Sequence, residues 1–332
     1  MSSPDKTVAF IGLGVMGYPM AINLRKGLPT SHTLLICDIV TSALSTFQSE
    51  TSDLGPVSVV KNGYEAIQRA DTVITMLPGS PAVKAVYLDP STGILAGAEK
   101  ALQTTPSRSL LVMECGTIDP STIISLADSF TASPAAPSLS FLDAPVSGGP
   151  MGAKDGTLTF MVGSPSTTAF ETAKSYLSHM GIASSIFACG PPSSGTSFKI
   201  INNYLSAITS LAASEALNIG AKLNLDLKLL SDVINVSGGQ CWVTSKANPV
   251  PGVMENVPSS RGYEGGFRIE LCAKVLGMGS ELAKLSGART VLDAPTLGAF
   301  EEVMRDERYK GKDARVVYKW LNESEGGKGK SA

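Results

Sequence analysis

Short, almost wholly apolar runs punctuate the first half of the chain: TVAFIG, TLLICD, VSVV, DTVITMLP and SLLVMECG. Runs of this length, rich in Val, Ile and Leu and lacking polar alternation, mark strands buried on both faces of a parallel sheet. Between them, apolar positions recur at helical spacing over residues 16–26, 41–49, 64–69, 81–88 and 120–130. Asp119 before Pro120 predicts an N-cap followed by proline at the first helical position, and Ser164-Pro165 repeats that grammar. FLDAPVSG, TLTFMVGS and ASSIFACG add strands, whereas TASPAAPSLS reads as a surface loop. From about Ser193 the strand signal stops. One long helical pattern covers residues 195–222, and others follow over 226–236, 267–286, 295–307 and 313–322. A Pro/Gly-rich loop, NPVPGVMENVPSSRGYEGG, interrupts them. The expected architecture is an α/β domain over residues 1–193, then an all-α substrate and dimerisation domain over 194–332, joined by a long helix over 194–222.

The chain of 332 residues is long enough for two such cores. Its net charge of −2 gives no general electrostatic reason to hold nucleic acid or an anionic membrane. Five dispersed cysteines without a CxxC pair predict reduced thiols. No His/Cys/Asp cluster has metal-ligand spacing, and His32 and His179 read as surface or capping residues. The start, MSSPDKTVAFIG, carries no signal peptide or Arg-rich presequence, so a cytoplasmic chain or a processed mitochondrial-matrix form is expected. The apolar stretch 200–225 includes Asn202, Asn203, Glu215 and Lys222, which predicts a buried helix and not a membrane span. The tail SEGGKGKSA is expected to be frayed and without chemistry. More apolar helical surface than one small domain needs predicts a homodimer or homotetramer.

VAFIGLGVMGYPMAINL places Gly12, Gly14 and Gly17 directly after a strand and at the mouth of a helix. In a dinucleotide site the first glycine permits the tight turn, the second admits the pyrophosphate, and the third lets helix and strand pack closely. The helix N-terminus then receives the phosphates. Asp38, ending the second strand, suits hydrogen bonds to ribose hydroxyls and repels a phosphate there; no arginine follows it in IVTSALSTF. This predicts a Rossmann-type domain that prefers NAD to NADP, although Asp38 could instead be a simple cap for the helix near Thr41.

In GTSFKIINN a lysine lies four residues before an asparagine, so a helix would put Lys199 and Asn203 on one face. Flanked by Phe198, Ile200 and Ile201, Lys199 is expected to be partly desolvated, which lowers its pKa towards the range of a general acid/base.

The glycine loop with its MGYPMAINL continuation, DAPVSGGPMGAKDGTL and the GxxxKxxNN spacing together resemble the β-hydroxyacid dehydrogenase family. CWVTSKANPVPGVMENVP and YEGGF resemble its 3-hydroxyisobutyrate dehydrogenase branch. The resemblance runs from Val8 to about Leu321. It implies Lys199 as acid/base catalyst and Asn203 as the group orienting substrate. Ser147, Gly148 and Gly149 would bind the substrate carboxylate. The implied NAD-binding set is Gly12, Leu13, Gly14, Val15, Met16, Gly17, Asp38, Leu77, Pro78, Thr117, Phe267 and Lys274. Trp242, with Phe267, either walls the substrate site or belongs to the helical core. Two departures stand out: Val275 replaces an acid after Lys274, and ECGTIDP replaces a serine-rich turn, with Cys115 and Gly116 lacking hydroxyls. The implied activity is NAD-dependent oxidation of 3-hydroxyisobutyrate. Another small 3-hydroxyacid such as tartronate semialdehyde, or a catalytically silent NAD-binding assembly protein, remain as alternatives.

Overall fold

A computed structural model describes residues 3–323; the tail expected to be inert, 324–332, lies outside them. The chain divides into two compact units, one up to Lys199 and one from Ile200. The first contains β1 (Thr7–Ile11), α1 (Gly17–Gly27), β2 (Thr33–Cys37), α2 (Thr41–Glu50), β3 (Val57–Val59), α3 (Gly63–Arg69), β4 (Thr72–Thr75) and α4 (Ser80–Leu88). It continues with α5 (Ile94–Thr104), β5 (Leu110–Glu114), α6 (Pro120–Ala132), β6 (Leu139–Asp143), β7 (Val146–Ser147), α7 (Gly149–Asp155), β8 (Leu158–Gly163), α8 (Thr167–Leu177) and β9 (Gly181–Gly190).

The strands form one sheet in the order β3-β2-β1-β4-β5-β6-β8-β7, with β9 beside β8. β1 to β6 are parallel; β8 runs antiparallel to β6 and β7. Period-two alternation splits each strand between two cores. Val8 and Phe10 of β1 join Met20, Leu24, Leu34 and Phe47 on one face. Ala9 and Ile11 join Leu35, Val73, Tyr87, Val112 and Phe141 on the other. Helices therefore cover both faces, which is the doubly wound arrangement expected. Each fully buried side chain of this kind contributes about 1.5–3 kcal/mol. The order reverses between β1 and β4, and in doubly wound sheets ligands bind at such a switch point, outside the C-terminal strand ends.

α9 (Ser194–Lys222) begins in the first unit and continues into the second. After it come α10 (Leu227–Asn235), α11 (Trp242–Lys246), α12 (Ile269–Ser286), α13 (Asp293–Arg305) and α14 (Val317–Glu323). Along α9, Ile200, Ala207, Ser210, Ser214 and Leu217 are buried, a spacing of three, four and seven that traces one helical face. Ala207 enters the second unit's core with Ile269, Leu276, Phe300, Val303 and Val317. Contrary to the expectation of a buried helix, Ile201, Leu205, Ile219 and Leu223 are exposed. No helix among the described residues is long and apolar enough to cross a membrane.

Several local expectations need correction. Asp119 is the N-cap of α6 with Pro120 following, as expected, but its side chain makes no capping bond; the carboxylate accepts a hydrogen bond from the Ser80 hydroxyl instead. α8 is capped by Ser166, whose hydroxyl accepts from the Ala169 N–H at 3.1 Å, and not opened by Ser164-Pro165. α5 and α7 fall where no helix was expected, and residues 313–322 split into a 3-10 turn and α14.

Candidate active site

The glycine loop takes the form its spacing requires. Gly12 has φ +97°, and a Cβ there would strike the Met76 carbonyl; a Cβ at Gly17 would strike the Gly12 carbonyl. Gly14 has open space around it, and Gly14 and Val15 are exposed. The loop thus offers a bare backbone at the start of α1, with Leu13 and Gly17 buried beneath and Met16 half-buried. A dinucleotide pyrophosphate fits such a cradle.

Asp38 is tied into the same loop. Its Oδ2 accepts the Leu13 N–H at 2.5 Å and its Oδ1 accepts the Val40 N–H at 2.7 Å. The N-cap of α2 is Val40, without a side-chain cap, so Asp38 does not serve as the simple helix cap. A carboxylate has about four acceptor positions, leaving capacity for ribose hydroxyls. Leu77 and Thr117, both half-buried, and exposed Pro78 lie in the turns after β4 and β5.

Three polar side chains that were not singled out from sequence organise these turns. Thr75, Glu114 and Asp143 are the last residues of β4, β5 and β6, aligned in register and fully buried. Glu114 accepts hydrogen bonds from the Thr75 hydroxyl and, at 2.7 Å, from the Gly116 N–H. Burial pushes its pKa up to about 7 despite these bonds. Asp143 receives the Ser193 N–H at 2.7 Å and the Thr196 N–H at 2.6 Å. Its pKa is also raised by burial, while those donors oppose the rise. A carboxylate at this position satisfies free N–H groups at the start of α9 and complements the helix dipole.

That mounting fixes Lys199. A Cβ at Gly195 would collide with the Met161 carbonyl and come within 2.8 Å of the Asp143 carbonyl, so the first turn of α9 rests directly on the sheet edge. Lys199 follows one turn later and is only 8% exposed. Burial alone lowers its pKa to about 8, with no carboxylate partner among the described residues. The expected flanking residues do not supply that burial: Ile200 is buried, but Phe198 and Ile201 are exposed. Asn203, four residues on along α9, is half-buried and accepts weakly from Asn202 Nδ2 at 3.4 Å.

Ser147 is half-buried at the end of β7, and Gly148 and Gly149 are exposed with φ of +134° and +63° at the start of α7. In the second unit, Trp242 is 58% and Phe267 38% exposed, so neither is a simple core aromatic. One pair of charges organises both. Buried Asp313 accepts the Phe267 N–H at 2.8 Å. Its Oδ1 lies 2.7 Å from Arg315 Nε, an ion pair not aligned for a hydrogen bond, and the Arg315 guanidinium sits 5.7 Å from the Trp242 ring centre. Lys274 is exposed on α12, whereas Val275 packs with Ile200 and Met278 where an acid would be buried. No group of three metal-ligating side chains occurs among the described residues. His32 lies half-buried in a turn, and His179 packs against Gly27 with its pKa lowered by burial.

Comparison with known proteins defines the class. Residues 7–190 match the model described as the NAD binding domain of 6-phosphogluconate dehydrogenase. Residues 193–321 match that described as NAD-binding of NADP-dependent 3-hydroxyisobutyrate dehydrogenase. The NAD-dependent L-serine dehydrogenase of Pseudomonas aeruginosa is 38% identical over 97% of this chain and 99% of its own. The human mitochondrial 3-hydroxyisobutyrate dehydrogenase is 39% identical over 96% of this chain and 87% of its own. Among solved structures, Mycobacterium tuberculosis 3-hydroxyisobutyrate dehydrogenase with L-serine superposes with a TM-score of 0.81 at 30% identity, covering 96% of this chain and 99% of that one. The chain belongs to the 3-hydroxyisobutyrate dehydrogenase family of β-hydroxyacid dehydrogenases. It is an NAD-dependent hydroxyacid dehydrogenase.

Proposed function

We propose that this enzyme oxidises 3-hydroxyisobutyrate to methylmalonate semialdehyde, a step of valine breakdown, with Lys199 as the proton acceptor. The observation that carries the assignment of the base is a lysine only 8% exposed, one helical turn from Asn203, whose pKa burial brings to about 8; the choice of 3-hydroxyisobutyrate is supported by the similarity to 3-hydroxyisobutyrate dehydrogenases. Bound NAD supplies the hydride acceptor. Neutral Lys199 takes the hydroxyl proton as the carbon is oxidised, and returns it in the reverse direction. The Asn203 amide holds the same oxygen, while the Ser147 hydroxyl and the exposed Gly148–Gly149 backbone hold the carboxylate. The family resemblance assigns Trp242 to the substrate, and Phe267 and Lys274 to the dinucleotide.

L-Serine is the second reading, favoured by the serine dehydrogenase relative and by the relative solved with L-serine. The two substrates share a β-hydroxyl and a carboxylate and differ only in a methyl or ammonium at the middle carbon. Following NADH formation with racemic 3-hydroxyisobutyrate, L-serine, 3-hydroxypropionate and glycerate separates them. The first reading stands if kcat/KM for 3-hydroxyisobutyrate exceeds that for L-serine by at least about tenfold, the scale of one methyl's worth of discrimination. The reverse ranking replaces it. The exposed apolar positions of α9 further support assembly as a homodimer or homotetramer, which light scattering on the purified protein tests.

A further inference from the structure

The turn after β5 carries Cys115 and Gly116, and its geometry explains the glycine. The Glu114 carboxylate and the Leu77 carbonyl occupy the space beside Gly116: a Cβ there would lie 2.7 Å from Glu114 Oε1 and 2.8 Å from the Leu77 oxygen. Glu114 receives the Gly116 N–H and faces the Leu77 backbone amide, so one buried carboxylate joins the turn after β4 to the turn after β5. The link continues sideways. Met76, beside Leu77, closes against Gly12 and Gly17 of the glycine loop, and the Ser80 hydroxyl bridges from α4 to Asp119 in the β5 turn.

We propose that Glu114 is a positioning residue for the nicotinamide half of the dinucleotide, clasping the Leu77 and Gly116 turns from below without touching the ligand. A doubly wound domain binds a dinucleotide with two mononucleotide halves either side of the switch point. Asp38 and the glycine loop serve the adenosine side at β1 and β2, so the turns after β4 and β5 serve the other. The clasp has two states. As a carboxylate, Glu114 accepts from the Thr75 hydroxyl and the Gly116 N–H in charge-assisted bonds while it faces the Leu77 amide, and so holds both turns. Protonated, it turns one oxygen into a donor and weakens that hold.

The titratable groups facing it are few. Tyr87 on α4 is fully buried, reaches Thr75 at 2.6 Å and has its pKa raised by burial and by Glu114. Cys115 is likewise raised by burial. Asp143, its register partner on β6, is engaged by Ser193 and Thr196. No cation pairs with Glu114 among the described residues, and burial raises its pKa to about 7, so the two bonding arrangements are compared on either side of that pH.

The test measures binding and does not depend on which hydroxyacid is the substrate. Calorimetric titration of the whole protein with NAD, and separately with AMP, is run at pH 6 and pH 8 for wild type, Glu114→Gln and Glu114→Asp. Wild type should bind NAD about fivefold more tightly at pH 8. Glu114→Gln, a mimic of the protonated form, should show no such gain. Glu114→Asp, one methylene too short to span both turns, should weaken NAD at both pH values. AMP affinity should match wild type at each pH in both variants. A wild-type NAD affinity that is flat between the two pH values, a gain that persists in Glu114→Gln, or equal loss of NAD and AMP would each overturn the proposal.

Discussion

Charged Lys199 works against folding. Its pKa falls from 10.5 to about 8, so at neutral pH the folded chain holds a proton on a buried ammonium at a cost on the order of 3 kcal/mol. Because the folded pKa is depressed, the penalty is complete below pH 8 and is relieved as pH rises from there to 10.5. Lys199→Met should therefore be more stable than wild type in urea at pH 7, with the advantage gone above pH 10.5. It should also lose about 10²- to 10⁴-fold in turnover while binding NAD normally. A variant that is less stable and still active would mean that the lysine serves packing. Oxidation needs the neutral amine, so kcat/KM should rise about tenfold per pH unit up to about 8 and then level; a profile that falls over that range would exclude Lys199 as the base. Lys199 and Asn203 could be read from sequence because their relation is local, one helical turn. Glu114, Asp143 and Asp313 could not. Each looks like an acid at a strand or helix end, and its partners lie either two residues away across a turn or about forty to fifty residues along the chain.

The elements legible in the sequence were those whose pattern is set by their own residues. β1, the glycine loop and α1 follow directly from apolar run, glycine spacing and helical period. α5 was missed because Gly97 interrupts it, yet that glycine is demanded by a neighbour: a Cβ would lie 2.6 Å from Ile67 Cγ2 and 2.8 Å from the Tyr64 backbone of α3. α7 hid in a Gly-Pro-Met-Gly run that reads equally well as a turn. At Gly97 the close approach of α3 overrides helix propensity. The same effect governs α9. Gly195→Ala should drive the helix start off the Met161 and Asp143 carbonyls and carry Lys199 with it. A displacement near 1 Å costs about 10²-fold in kcat, and NAD affinity should stay close to wild type. Steady-state kinetics beside NAD titration checks this; an unchanged kcat would show that α9 is not held by its glycine.

Across the whole molecule the charges nearly cancel, with a net charge of −2 over 332 residues. Long-range attraction of an anionic substrate therefore has little to draw on. The proposed base, Lys199, has no carboxylate partner among the described residues, and burial is what lowers its pKa. Mobile ions act on fields between charges, and the screening distance falls from about 10 Å at 0.1 M salt to about 3 Å at 1 M. Desolvation presents them with no such field. The apparent pKa in the kcat/KM profile should thus shift by less than about 0.3 between those two salt concentrations, whereas a lysine tuned by a neighbouring charge would shift with screening. An enzyme built this way keeps its pH response when the ionic composition of its surroundings changes, so its rate reports acidity without also reporting salt.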